Sequence, residues 1–215
     1  GNDPPEVLPL FEMEFDDYLI KPVNPHQILL SVKKILDNSR LRGEQAQSTY
    51  MREFRELAMK LGGRMNAEEW SEVYRRLMHW HTTLGESGDR SMLEILDNQH
   101  AEANHQFVRF VEDHYEAWMT GLEQGPTLSH EVLPKWLPGA LEGAKGRPVF
   151  LVVIDNLRWD QWRTIAPTLR PKWNVVEETT YFSMLPTATQ YARNALFAGM
   201  TPGDIARMMP NLWIG

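Results

Sequence analysis

Two hydroxyls and a carboxylate are the groups in this chain whose types and spacing suit chemistry at phosphorus. Thr187 and Thr189 stand two apart after Pro186 in the stretch LPTATQYARNALFAG. Tyr191, Ala195, Leu196 and Ala198 then mark the apolar face of a helix, which Gly199 and Pro202 end. A threonine at such a mouth serves as an N-cap, its oxygen accepting a free backbone N–H. It also stands where unpaired N–H groups and the helix dipole favour a phosphate. Asp155 supplies the third group, closing the apolar run PVFLVVI. A carboxylate that holds a divalent cation beside a hydroxyl lets the cation lower the hydroxyl's pKa, which a neutral threonine needs before it attacks phosphorus. Helix N–H groups then hold the developing charge. Asp155 can also serve simply as a helix cap.

The elements that must position these groups read as parallel α/β. Residues 149–154 form a continuous apolar strand ending in Asp155, and Leu157, Trp159 and Trp162 belong to a following helix. Residues 173–182, within WNVVEETTYFSMLP, form a second strand, after which come the threonines and their helix. In such a βαβα unit, sites form at the carboxyl ends of the strands, which puts Asp155 and the threonines on adjacent tips.

Residues 37–145 read as a helical connector bundle packed by aromatics. Tyr50, Phe54, Leu57, Ala58 and Leu61 share a face that Gly62-Gly63 stops. Asn66 caps the next helix with Glu69 at the capping-box position, and Trp70, Val73, Tyr74, Leu77 and Leu84 build its apolar side. Asp89 opens what reads as the longest helix, from Met92 through Phe107 and Trp118 to Gly121. His79 and His81 lie two apart and His100 and His105 five apart, so neither pair shares the helix face that a metal needs. Glu68, Glu69, Glu72 and Glu94 work against a DNA-recognition face. Residues 121–146, with five glycines and three prolines, read as a boundary before the α/β region of 146–215.

At the other end, DDYLIKPVNPHQILLSVKKIL reads as strand, Lys-Pro, loop and helix. Tyr18, Leu19 and Ile20 are the strand, Pro25 suits a first helical turn, and Ile28, Leu29, Val32, Ile35 and Leu36 keep helical spacing.

The chain of 215 residues carries a formal charge of −7, against a general affinity for duplex nucleic acid. It has no cysteine, so a metal would need oxygen or imidazole ligands. No apolar run is long enough to span a bilayer and no signal peptide opens the chain, so a cytoplasmic protein without membrane contact is expected.

Three resemblances follow from the quoted stretches. DDYLIKPVNPHQILLSVKKIL resembles the last strand and helix of a response-regulator receiver, so residues 1–36 would be its C-terminal portion. That resemblance implies a phosphoryl-sensing role for Lys21, Mg2+ at the receiver site and a sensor histidine kinase as partner. VFLVVIDNLRWDQW and LPTATQYARNALFAGMTP resemble the PglZ branch of the alkaline phosphatase superfamily. Carried over, Asp155 is a metal ligand, Thr189 the nucleophile and metal-bound hydroxyl with Thr187 as alternate, and Arg193 and Asn194 contact phosphate oxygens. The remaining ligands of that superfamily would fall beyond Gly215.

Receiver, connector and PglZ domain in this order resemble the PorX-like response regulators, as does MLEILDNQHAEANHQFVRFVEDHYEAWM in the connector. This family resemblance implies a zinc-dependent phosphodiesterase output acting on a phosphodiester such as an oligonucleotide. It further implies control of type IX secretion and a homodimer formed on phosphorylation. The rival expectations are a PglZ domain that serves as a phosphorylation-controlled interaction platform, and a DNA-binding response regulator.

Overall fold

Polar side chains at the helix starts satisfy N–H groups that the helices themselves leave free. In a computed structural model that describes Asp17, Leu19, Lys21 and residues 23–211, α1 spans Pro25–Leu61. Asn24 Oδ1 accepts the His26 N–H at 2.9 Å at its start, and Pro25 occupies the first helical position, where no N–H is needed. Helix α2 is Ala67–Ser87. Its capping box is complete: Glu69 N–H donates to Asn66 Oδ1 at 3.0 Å and Asn66 N–H donates to Glu69 Oε2 at 2.9 Å. Helix α3 is Arg90–Thr120, opened by Asp89, whose Oδ1 accepts the N–H groups of Ser91 and Met92. The Ser91 hydroxyl, which donates to the same oxygen at 2.7 Å, and then these backbone bonds hold the Asp89 carboxyl below its ordinary range. After a 3₁₀ turn at Ser129–Glu131 come α4 (Val132–Ala144), α5 (Trp159–Leu169), α6 (Thr189–Ala198) and α7 (Pro202–Met208).

The chain divides into two compact units, one of Gly1–Met59 with Trp80–Asp97, the other of Lys60–His79 with Asn98–Gly215. In the first, Tyr50, Leu57 and Leu84 are fully buried. The Tyr50 ring lies 5.5 Å from Trp80 and edge-on to Phe54 at 6.1 Å, and Trp80 Nε1–H donates to Glu53 at 3.0 Å. In the second, Trp70 of α2, Phe107 and Trp118 of α3, and Phe182 form one aromatic cluster with centroids 5.4 to 6.2 Å apart. A Cβ on Gly125 would lie 2.6 Å from the Trp118 ring, so only glycine lets the chain pass there.

The expected parallel α/β sheet is not what forms. Among the described residues the fold is all-helical, with no strand and one isolated parallel bridge, Leu128 to Phe182. The apolar run at 149–154 is exposed throughout, Phe150 to 86 % and Val152 to 78 %. A continuous apolar run shows that a segment can be buried between layers, but a strand exists only where a neighbour takes up its backbone groups. Apart from Phe182, which bridges to Leu128, side chains of the stretch 173–182 bond to helices instead. Glu178 accepts Trp162 Nε1–H of α5 at 2.7 Å, and Thr180 Oγ1 accepts from Arg75 of α2 at 3.4 Å.

Other elements also differ from the pattern. The apolar spacing at 28–36 and that at 50–61 belong to one helix, so α1, not the helix after Asp89, is the longest of those described. The stretch 121–146 holds the 3₁₀ turn and α4 despite its prolines. Pro134 falls in the first turn, where a missing N–H costs nothing. Tyr18, Ile20 and Pro22, which carried the strand and the Lys-Pro step, lie outside the described residues.

Candidate functional site

Asp155 lies in a turn, followed by Asn156 in the left-handed region at φ 64°. The N-cap of α5 is Arg158, three residues on, whose N–H donates to Gln161 Oε1 at 2.9 Å. Asp155 therefore does not cap that helix. Its Oδ2 faces Arg193 Nη1 of α6 at 3.6 Å, with both side chains about half exposed.

The threonines are likewise free of capping duty. Ala188 is the N-cap of α6, in extended backbone, and no side chain caps it. Thr189 is the first helical residue, and neither it nor Thr187 makes a side-chain hydrogen bond among the described residues. Both line a cavity of about 1130 Å³ within the second unit, together with Asp155 and Arg193. Trp70, Phe107, Trp159 and Trp162 give the same cavity aromatic walls. Burial and the Asp155 charge push the Tyr181 hydroxyl, also on this cavity, above its ordinary range. Arg158, which also lines the cavity, donates to Asp160 at 2.8 and 3.0 Å and so holds that carboxyl below its ordinary range.

Residues 40–119 match the family model of the PorX response regulator linker domain, and residues 137–215 that of the BREX system PglZ alkaline phosphatase-like domain. The chain has the PorX-like linker-plus-PglZ architecture. No curated protein matches the chain. All of Asp155, Thr187, Thr189 and Arg193 fall in the PglZ stretch, whereas Trp70 and Phe107 on the same cavity come from the linker stretch.

The PglZ domain brings together four of the residues that its sequence singles out: Asp155, Thr187, Thr189 and Arg193. Asn194, one position further round α6, is exposed and does not line the cavity. Lys21 is exposed and belongs to the other unit. Asp17, in that same unit, accepts from Ser31 Oγ at 2.6 Å and pairs with Lys34 at 3.6 Å. Tyr181, Arg158 and the linker aromatics were not legible as site residues, because their place depends on long-range packing.

An alkaline phosphatase-like domain is compatible with metal dependence, with the metal unspecified. Among the described residues no three carboxylate or imidazole groups converge. A zinc site takes about four ligands, so Asp155 with the threonine oxygens does not by itself fit one.

Proposed function

We propose that this chain belongs to a response regulator whose PglZ output hydrolyses phosphodiesters, with Thr189 as nucleophile and Thr187 as the alternate. One observation carries the reading: at the mouth of α6 two hydroxyls with no hydrogen bond among the described residues line the same cavity as the Asp155–Arg193 pair. Thr189 Oγ forms a bond to phosphorus while the bond to the leaving oxygen breaks, and the hydroxyl proton ends on that oxygen. Water then breaks the Thr189 O–P bond of the resulting mixed diester, which frees the threonine hydroxyl and a phosphate monoester. The uncapped N-terminus of α6 favours the charge that develops on the phosphoryl oxygens. Arg193, free to exchange its carboxylate partner for a phosphate, supplies a charge-assisted donor.

In the same reading Asp155 would be one ligand of a divalent cation, zinc by the family resemblance, which would lower the pKa of the threonine hydroxyl. The linker implies phosphorelay input from a kinase. In the same reading Lys21 senses the phosphoryl group, phosphorylation favours a homodimer, and the output regulates a type IX secretion-like process.

The test is turnover of bis(p-nitrophenyl) phosphate by the full-length protein, with zinc added and with a chelator. Turnover that needs the metal and is lost in Thr189→Ala supports the reading. Its absence under every metal condition turns the choice to an interaction platform. That second reading is favoured by one observation, the exposed apolar side chains of Phe150, Val152 and Val176, the last 91 % exposed.

A further inference from the structure

The backbone just ahead of the threonines is fastened at three points. Phe182 N–H donates to the Thr127 carbonyl at 2.9 Å. Met184 N–H donates to Ser129 Oγ at 3.0 Å, between two fully buried residues. Leu185 is gripped from both sides by one phenol: its N–H donates to the Tyr115 hydroxyl oxygen at 2.7 Å, and the Tyr115 O–H donates back to its carbonyl at 3.2 Å. A phenol can do both, giving its single proton and accepting on a lone pair.

With the N–H and C=O of one residue both held, the direction in which the chain leaves Leu185 is set. The next residue is Pro186, whose ring restricts φ, and Thr187 and Thr189 follow at two and four residues from the grip. Tyr115 stands on α3 within the linker match, whereas Leu185 lies within the PglZ match. The second and third fastenings therefore differ in origin: Ser129 lies between the two matched stretches, and Tyr115 is a linker residue.

We infer that Tyr115 is a positioning residue, a linker side chain that sets where the Thr187 and Thr189 hydroxyls stand over the cavity. The inference rests on the reading of those threonines as the reactive groups. A shift of about 1 Å in a reacting group costs about a hundredfold in rate, so a grip this close in sequence has large leverage. Tyr115 also packs edge-on to Trp118 at a centroid distance of 6.4 Å, a contact that phenylalanine keeps. Tyr115→Phe thus removes the grip and leaves the ring.

The experiment compares the full-length wild-type protein, Tyr115→Phe and Tyr74→Phe in two assays: kinetics on bis(p-nitrophenyl) phosphate, and amide hydrogen exchange across residues 182–192. Tyr74 is the control because its hydroxyl reaches Asp160, at 3.5 Å, and not the threonine segment. For Tyr115→Phe, kcat falls about tenfold or more while KM stays within about twofold. Exchange at Leu185 rises about tenfold or more, with the interior of α6 unchanged. Tyr74→Phe leaves exchange at 185–189 as in wild type. Unchanged exchange at Leu185 in Tyr115→Phe overturns the inference whatever the kinetics show. Raised exchange with an unchanged kcat in an active enzyme also overturns it, since the grip then holds backbone without placing hydroxyls. Full-length wild-type protein with no turnover under any metal condition defeats the phosphodiesterase reading separately. Exchange then decides alone: a rise at Leu185 that spares the interior of α6 upholds Tyr115 as the residue that sets this segment, and no rise overturns it.

Discussion

Arg193 Nη1 stands 3.6 Å from Asp155 Oδ2, so the acid that follows the apolar run and the arginine one turn into α6 are each other's counter-charge. Both side chains are about half exposed, and a pair of that kind contributes at most about 1 kcal/mol to stability. Its significance lies in charge at the cavity mouth. Arg193→Ala is expected to leave the melting temperature within a few degrees of wild type, about what so small a contribution implies. Turnover of a phosphodiester should fall about tenfold or more, from loss of a charge-assisted donor. A large drop in melting temperature with unchanged turnover would make the pair a structural clamp instead.

Thr189→Ala should remove phosphodiester turnover by about three orders of magnitude while leaving stability intact, since its hydroxyl neither caps α6 nor makes a hydrogen bond among the described residues. Thr189→Ser keeps the hydroxyl and should retain activity. Thr187→Ala, assayed in parallel, assigns the nucleophile: if it alone is inactive, Thr187 holds that role.

Burial, and secondarily the Asp97 charge, push the Tyr50 phenol up to about 12. The folded-state value lies above the unfolded value near 10, so this stability is present in full below pH 10 and is lost as pH rises from there through about 12. The loss amounts to at most about 2–3 kcal/mol. Urea melts at pH 8, 10.5 and 11.5 should show that decline, and Tyr50→Phe should flatten it. An equal decline in the variant would assign the alkaline limb to other groups, Tyr74 and Tyr181 among them, whose hydroxyls are also shifted upward.

Two glycines should respond to alanine with opposite signs. At Gly125 the added Cβ meets the Trp118 ring at 2.6 Å, an overpacking expected to cost about 1–3 kcal/mol. At Gly143, inside α4 with nothing within 4 Å, alanine should stabilise by up to about 1 kcal/mol. Thermal melts of the two variants measure both. A neutral Gly125→Ala would mean that the loop yields and Trp118 is not fixed.

Local chemistry was readable along the chain wherever it is decided within one turn of backbone. Asn66 with Glu69, Asp89, Gly62-Gly63 and Gly199 mark helix ends as their residue types dictate, because a cap is a bond between groups a few residues apart. Spacing likewise picked out the buried faces at Tyr50, Leu57, Trp70 and Leu77. It also singled out the three groups Asp155, Thr187 and Thr189, which line one cavity.

Tertiary structure decided what those short-range signals leave open. Whether residues 149–154 and 173–182 become strands depends on a partner for their backbone, and among the described residues the second segment is engaged by Arg75 and Trp162 side chains instead. That the threonines cap nothing follows from where Ala188 falls, one residue away from either reading of the pattern. The pairing of Asp155 with Arg193, 38 residues on, and the hold of Tyr115 on Leu185, 70 residues on, have no trace in periodicity or composition. Such contacts arise only when helices far apart in the chain pack their apolar faces and carry their polar groups into reach, so burial sets the distances at which the site's chemistry operates.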